Sequence, residues 1–468
     1  VTLPVLKVAV VGHTNTGKTS LMRTLTRDIG FGEVSNRPST TRHVEGTYLL
    51  VDGVPLIELY DTPGLEDSIG LLEHLDNLRT DRQTDWIEII HQFLDSPAAH
   101  HEFEQEAKAL RQVLACDVAL YVIDARDRVL GKHRDELEIL GRCAKPVVPV
   151  LNFVASPEAK TSQWREHLAR VNMHAVVEFD TVVLNEYGEQ RLFEKMQTLL
   201  DQFHDTLEAV IQDRIRQRSA LLHASADLLA DLLIDVAAYA VTVPVDDAQK
   251  MATAMETLKQ TVRDREQQCV DALLEMFRFR LDDYAAEALP IENGQWGLDL
   301  FNPASMKQFR IRAGSGAAAG GMAGLALDVM TGGLTLGAGT ALGATLGALW
   351  SSSRTHGRRI IDRVRGFTEL RVSEATLRLL ATRQIYLVRV LLRRGHASQE
   401  PIRTNSPAGD TSQDSGFAQK LPAVLEQARI NPPWSHLGKS NSTANDSDAE
   451  RLTAQKELTR IIEAELRS

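Results

Sequence analysis

The sequence predicts an α/β domain at the N-terminus, a mostly parallel sheet with helices on both faces, followed by an α-helical domain. Three observations lead there. Short apolar runs alternate with helix-periodic stretches over residues 1–205. A glycine-bearing loop joins the first of those runs to a helix, and from Phe203 onward apolar residues recur at spacings of three and four.

The strand assignments rest on the β-branched and apolar runs Val5–Val11, Val44–Val51, Pro55–Tyr60, Asp117–Asp124, Pro146–Leu151 and Ala175–Phe179. Asp52-Gly53 separates the second from the third, a dipeptide suited to a tight hairpin. The segment Asp67–Gln112 is longer than one crossover requires, and an extra helix is expected at Trp86–Leu94. Within it, His100 and His101 with Glu102 and Glu104 lack metal-ligand loop spacing and read as a solvated helix face. Residues 206–300 then read as a helical bundle or stalk interrupted at Pro244. Residues 301–395 read as a glycine-zipper helical hairpin with an Arg-rich helix from about Ile360 to Leu392. Residues 396–468 read as a low-complexity tail, disordered to about Asp448, with a terminal helix at Ala449–Leu466.

Composition narrows the function classes. With 43% hydrophobic and 25% charged residues, the 468-residue chain has the balance of a soluble globular protein with two or three domains. A net charge of -11 excludes a simple polyanion binder, so any affinity for nucleic acid or an anionic membrane needs a local basic patch. The three cysteines, Cys116, Cys143 and Cys269, are widely spaced and form neither a disulfide framework nor a metal motif, which fits a reducing cytoplasm. No leader is read in Val5–Val11, which contains Lys7 and runs straight into a motif.

That motif is Gly12-His-Thr-Asn-Thr-Gly17-Lys18-Thr19, the G-x-x-x-x-G-K-[ST] pattern in the strand–loop–helix context it requires. Glycines let backbone N–H groups face phosphate oxygens, and the following helix adds its positive end. Gly12, His13, Thr14, Asn15, Thr16, Gly17, Lys18, Thr19 and Ser20 are therefore assigned to the nucleotide. Lys18 supplies a point charge to the β- and γ-phosphates, and the Thr19 hydroxyl a ligand for Mg²⁺. Asp61-Thr62-Pro63-Gly64 ends the third strand, where open α/β sheets bind ligands. Asp61 is expected to hold Mg²⁺ through water, and the Gly64 amide to sense the γ-phosphate.

With Asn15 in the loop, Pro38-Ser-Thr-Thr41-Arg42-His43 behind it and Asp61–Gly64 next, residues 4–204 resemble the translation-factor-related P-loop GTPases, and within them the Era-like group of Era, Der and TrmE. The resemblance implies a GTP/GDP switch that hydrolyses the β–γ phosphoanhydride with Lys18, Thr41 and Gly64. It makes Thr41 the switch threonine that completes Mg²⁺ coordination. Asn15 matches the asparagine that holds a catalytic K⁺ in several relatives; as residues alone it is equally a polar loop position. The glycine-rich C-terminal half also resembles a bacterial GTPase family with its own helical domain.

Three departures qualify the resemblance. Leu65 follows the Asp-Thr-Pro-Gly turn where a water-orienting glutamine is expected, which implies slow unaided turnover and a catalytic group from Glu66, Asp67, a monovalent cation or a protein activator. After the fifth strand stands Asn152-Phe153-Val154-Ala155 in place of Asn-Lys-x-Asp. Asn152 and Phe153 remain assigned to the base, but Ala155 cannot accept from guanine N1 and N2, and Asp180 is the nearest candidate substitute. His43 replaces the switch aspartate, and nothing in the sequence explains it.

Gly316, Gly320 and Gly324, then Gly339, Gly343 and Gly347, suggest two closely packed helices flanked by Arg310, Arg312, Arg354, Arg358 and Arg359. A membrane hairpin at the inner face of the membrane and a soluble hairpin explain this pattern equally. The Arg-rich helix, carrying Arg363, Arg365, Arg371, Arg378, Arg383, Arg389, Arg393 and Arg394, suits an anionic membrane surface, RNA phosphates, or ion pairs with acids elsewhere. The competing functions are thus a switch coupled to a membrane-associated effector domain, an RNA- or ribosome-associated GTPase, and a nucleotide-binding scaffold with negligible hydrolysis. Oligomeric state is open.

Overall fold

In the computed structural model, the described residues are 3–26, 45–81, 83–181, 188–244, 247–277, 291–292, 295–311, 327–330, 367–393, 416–437 and 447–467. They fall into two compact units divided between Ser219 and Ala220.

The first unit is a six-stranded sheet. It uses β1 (Leu6–Val11), β2 (Glu45–Val51), β3 (Val54–Asp61), β4 (Val118–Asp124), β5 (Val147–Asn152) and β6 (Val177–Glu178), in the order β2-β3-β1-β4-β5-β6. Only β2 runs antiparallel, joined to β3 by the hairpin at Asp52 and Gly53, both at positive φ. The other neighbours are parallel. The continuous apolar runs are explained by burial on both faces. β1 sends Leu6, Val8 and Val10 into one layer and Ala9 and Val11 into the other. β4 does the same with Val118, Leu120 and Val122 against Ala119, Tyr121 and Ile123. Each Leu, Ile or Val among them, fully buried, stabilises by about 1.5–3 kcal/mol.

Helices α1 (Lys18–Thr26), α2 (Ser68–Leu78), α3 (Trp86–Leu94), α4 (Glu104–Ala115), α5 (Gly131–Arg142), α6 (Thr161–Arg170) and α7 (Gly188–Leu199) complete the unit. The extra helix expected at Trp86–Leu94 is α3, but the same segment also forms α2 and α4. His100 and His101 are exposed.

The second unit departs from an all-helical reading. Its long helices are the C-terminal part of α8 (His204–Ala238), α9 (Ala248–Met276), α11 (Glu374–Arg393) and α14 (Ser447–Arg467), with short helices α10 (Pro303–Gln308), α12 (Gly416–Gln419) and α13 (Ala423–Ile430). It also holds an antiparallel sheet of β7 (Ala240–Pro244), β10 (Leu327–Met330) and β11 (Phe367–Val372), in the order β10-β11-β7, and the small hairpin β8 (Ile291–Glu292) with β9 (Gln295–Trp296). Pro244 therefore ends an edge strand, where a missing N–H costs least. The Arg-rich helix starts at Glu374; Phe367–Val372 before it form strand β11 instead.

Two further corrections concern charge and disorder. Arg371, Arg378 and Arg383, expected on an exposed basic helix face, lie inside the unit; Arg363, Arg365 and Arg394 lie outside the described residues. Arg371 and Arg383 are fully buried and Arg378 nearly so. Arg383 pairs with buried Glu266 through two guanidinium hydrogen bonds, and Gln384 donates to the same carboxylate at 2.8 Å. Arg371 donates to Glu369 at 2.9 Å, and Arg378 to the carbonyls of Ala418 and Gln419 at 3.2 Å. Within the segment expected to be disordered, Phe417, Leu421, Val424, Leu425, Ala428 and Trp434 are buried in the core of this unit. Asp231, Asp235 and His436 lie within common reach of one ion, but Arg265 and Arg451 already bridge both carboxylates. Apart from Leu327–Met330, the glycine-rich segment lies outside the described residues. No helix among the described residues is long and apolar enough to cross a membrane.

Candidate nucleotide-binding site

The site residues gather at the carboxyl ends of β1, β3, β4 and β5. The loop from β1 to α1 bends where the sequence supplies glycine. Gly12 has φ +143°, and a Cβ there would lie 2.4 Å from the Val122 carbonyl oxygen. Gly17 has φ +90°, and a Cβ would lie 2.3 Å from the Asn152 side-chain amide. Only glycine fits either position. Asn15 stands at the exposed tip with φ 65°. Thr16 closes the loop by donating to the His13 carbonyl at 3.0 Å. Ser20 follows in the first turn of α1.

Lys18 folds back over this loop and donates to the carbonyls of Gly12 at 3.1 Å and His13 at 2.8 Å. Burial lowers its pKa, opposed by the attraction of Asp61, Glu136 and Glu66. Beside it, Thr19 Oγ1 donates to Asp61 Oδ2 at 2.5 Å, bringing together two motifs separated by 42 residues. β1–β3 pairing sets this contact, with Val10 opposite Asp61. Thr62 fixes the turn by donating to the Val10 carbonyl at 2.8 Å. Gly64 lies against the loop: a Cβ there would meet Thr14 Oγ1 at 2.6 Å and Thr14 N at 3.0 Å. Thr19 and Asp61 offer a hydroxyl and a carboxylate side by side, the hard oxygen donors that suit Mg²⁺.

Leu65 is fully buried. Glu66 and Asp67 are exposed, and their backbone amides donate to Glu106 at 3.0 and 2.9 Å. Asp67 caps α2 by accepting from Gly70 N at 2.9 Å, while Glu66 accepts from the Thr14 hydroxyl at 3.4 Å. Thr41 and the rest of Pro38–His43 lie outside the described residues.

At the base end, Asn152 is fully buried and ties three segments together. Its Nδ2 donates to the Thr16 carbonyl at 3.0 Å, and its Oδ1 accepts from the amides of Phe153 at 2.9 Å and Thr181 at 3.0 Å. Phe153 has φ 57°, and the Arg126 guanidinium lies 4.1 Å from its ring centre. Arg126 is in turn clamped by Asp124, at 2.8 Å. The Ala155 amide donates to the buried Asp180 carboxylate at 2.9 Å.

A family model described as "Domain of unknown function (DUF3482)" matches residues 165–460, more than half of the chain. The chain belongs to this family. A second model, described as "50S ribosome-binding GTPase", matches residues 7–153, and the N-terminal domain is a P-loop GTPase domain. The tRNA modification GTPase MnmE of Synechococcus elongatus is 27% identical over 143 residues, covering 31% of this chain and 30% of that protein. MnmE of a Thermoanaerobacter species is 31% identical over 134 residues, covering 29% and 28%. The chain thus spans less than a third of the length of these curated relatives. A solved structure of Era, in complex with MgGDPNP and nucleotides 1506–1542 of 16S ribosomal RNA, is 18% identical with a TM-score of 0.28, covering 38% of this chain and 52% of that one.

In this DUF3482 member the GTPase match stops at Phe153, the point where the base-reading tetrapeptide departs from Asn-Lys-x-Asp. Sequence reasoning also missed a buried relay beneath the phosphate loop. His13 Nδ1 lies 3.0 Å from Glu136 Oε1 and 3.2 Å from the Leu65 carbonyl. Both neighbours are acceptors, so that nitrogen carries the proton. The Tyr121 hydroxyl donates to Glu136 at 2.6 Å; burial and then the Glu136 charge push its pKa well up. The available signal was Glu136 on the apolar face of α5, in phase with Leu137 and Leu140.

Proposed function

We propose that this chain is a GTP-binding and GTP-hydrolysing switch whose nucleotide state is transmitted through loops around Thr41 and Gly64 to its C-terminal domain. The Thr19–Asp61 contact at 2.5 Å is the observation that carries the reading, because it joins the phosphate loop and the metal-binding turn at one point. The loop amides and the positive end of α1 bind phosphate oxygens. Lys18 exchanges its two carbonyl partners for β- and γ-oxygens, a trade that favours the ammonium's charged form. Thr19 and Asp61, with Thr41, would hold Mg²⁺, which when bound neutralises charge on the β- and γ-phosphates. Gly64, packed on Thr14, lies where loss of the γ-phosphate is felt.

Leu65 supplies no hydrogen bond to water and is turned inward, so intrinsic turnover is slow and an activating protein or a monovalent cation completes the site. Asn15 at the exposed loop tip is the group proposed to bind K⁺. Replacing Na⁺ by K⁺ should raise turnover, and Asn15→Ala should remove that difference. The central test is phosphate release from GTP with Mg²⁺ by the full chain. Lys18→Ala should bring release to background; release at the parent rate would overturn the assignment.

We further propose a membrane as the working surface, resting on the glycine-rich residues 313–350 and their flanking arginines alone. Deleting residues 314–350 should abolish flotation with anionic liposomes; undiminished flotation rejects it. The RNA reading loses its support from Arg371, Arg378 and Arg383, which are engaged within their own unit.

A further inference from the structure

We infer that Asp180 reads the guanine base in place of the carboxylate missing at position 155. The inference rests on the GTP reading above and deepens it.

Guanine presents two donors, N1–H and the N2 amino group, on one edge. A carboxylate accepts both, and adenine offers no such pair. At the end of β5 the chain places Ala155, whose methyl group accepts nothing. The Ala155 backbone amide, however, donates to Asp180 Oδ2 at 2.9 Å. A carboxylate therefore lies beside the residue whose own side chain lacks one, delivered from the neighbouring strand 25 positions later.

Asp180 is held there from both sides. β6 pairs in parallel with β5, with Leu151 opposite Glu178. The Phe179 amide donates to the Leu151 carbonyl at 2.9 Å, and the Thr181 amide to Asn152 Oδ1 at 3.0 Å. Residues on each side of Asp180 are thus pinned to the strand that carries the base motif. Asn152 in turn is pinned to the phosphate loop through Thr16, at 3.0 Å. Phe153 supplies an adjoining aromatic surface, backed by Arg126. Its ring tip would stand 3.3 Å from a Cβ on Gly17, so it borders the phosphate loop directly. Asp180 is 4% exposed, and the Ala155 amide is among the donors that hold its carboxylate at this loop.

The competing role for Asp180 is purely structural, an acceptor that holds the turn after β5. Base selectivity separates the two, because a turn defect weakens every nucleotide alike. The experiment is equilibrium competition of GTP, ATP and XTP on the full chain with Mg²⁺, for the parent, Asp180→Asn, Asp180→Ala and Ala155→Asp/Asp180→Ala. The parent should prefer GTP. Asp180→Asn should lose GTP affinity by about 10- to 150-fold, the range for a hydrogen bond to a charged group. It should gain XTP affinity, since an amide offers an N–H to xanthine O2 and a carbonyl to N1–H, and ATP should not change. Asp180→Ala should lose GTP without gaining XTP. Restoring an acid at position 155 should recover the GTP preference, a gain that no unfolded variant can show. Equal weakening of all three nucleotides by Asp180→Asn, or an unchanged GTP preference, overturns the inference and leaves the switch standing. A parent that binds GTP and ATP equally does the same. A parent that binds no nucleoside triphosphate overturns both.

Discussion

Removing the Glu266 carboxylate should strand a guanidinium inside the C-terminal unit. Arg383 is 2% exposed and donates two hydrogen bonds to that carboxylate, with Gln384 donating a third at 2.8 Å. Breaking a buried pair from one side costs about 3–5 kcal/mol, because the remaining charge has no compensation. Replacing both partners with apolar residues of similar volume is close to neutral. Glu266→Ala should therefore destabilise strongly, and Glu266→Leu/Arg383→Met should recover most of the loss. Cys269 is a built-in reporter: it lies three residues from Glu266 on α9, is fully buried, and burial pushes its thiol up to about 12. It reacts only when this unit opens. At 1.4 kcal/mol per decade, labelling of Cys269 in Glu266→Ala should accelerate by roughly two to three and a half decades. Labelling within about tenfold of the parent, or a double variant no slower than the single one, would refute the claim that Arg383 is a buried structural charge.

Three further outcomes follow from the same geometry. Leu65→Gln buries an amide where the parent buries a leucine, so it should cost about 1–3 kcal/mol of stability and leave GTP turnover no faster; a clear rise in turnover would mean the side chain reaches the reacting water. Gly12→Ala forces a Cβ to 2.4 Å from the Val122 carbonyl at φ +143°, and should abolish GTP binding in a fluorescence titration; parental affinity would contradict the loop conformation. His133 is buried, accepts from Leu130 N at 3.2 Å, and burial lowers its pKa below 6.5. Between that lowered value and 6.5 the unfolded chain binds more protons, so stability should fall as pH drops through this window. His133→Asn should flatten the slope of the urea midpoint against pH, with His167, also lowered by burial, sustaining what remains.

The two halves of the chain differ in legibility for a physical reason. In the GTPase domain the strands are continuous apolar runs and the phosphate loop is a local motif, so both can be read without knowing the neighbours. In the C-terminal unit, β7 pairs with β11 from Ala240 against Arg371, and Arg383 meets Glu266 across 117 residues. A run such as Phe-Thr-Glu-Leu-Arg-Val suits a helix or a strand until its partner strand is known. Arginine is assigned to the surface by default, and only a distant acid reverses that. The same limit hid Glu136 under the phosphate loop. Asp180 was recognisable as a strand-end acid, but its hydrogen bond to Ala155 depends on β5–β6 register, which pattern alone does not set.

Asn152 carries a consequence for how such chains are recognised. It is the first letter of a four-letter signature normally treated as a single statement about the base. Here it acts as a three-way clamp among the phosphate loop, its own loop and the loop after β6. A search that scores the tetrapeptide as one unit counts the substitutions at Phe153 and Ala155 against guanine recognition altogether. The hydrogen bonds of Asn152 give that first letter a mechanical role of its own, apart from any contact with a base. The mechanical letter stays tied to its strand, while the chemical task is open to reassignment to any residue the clamp brings near. Diverged GTPases are therefore better sought by the asparagine together with acids delivered from the next strand than by the intact word.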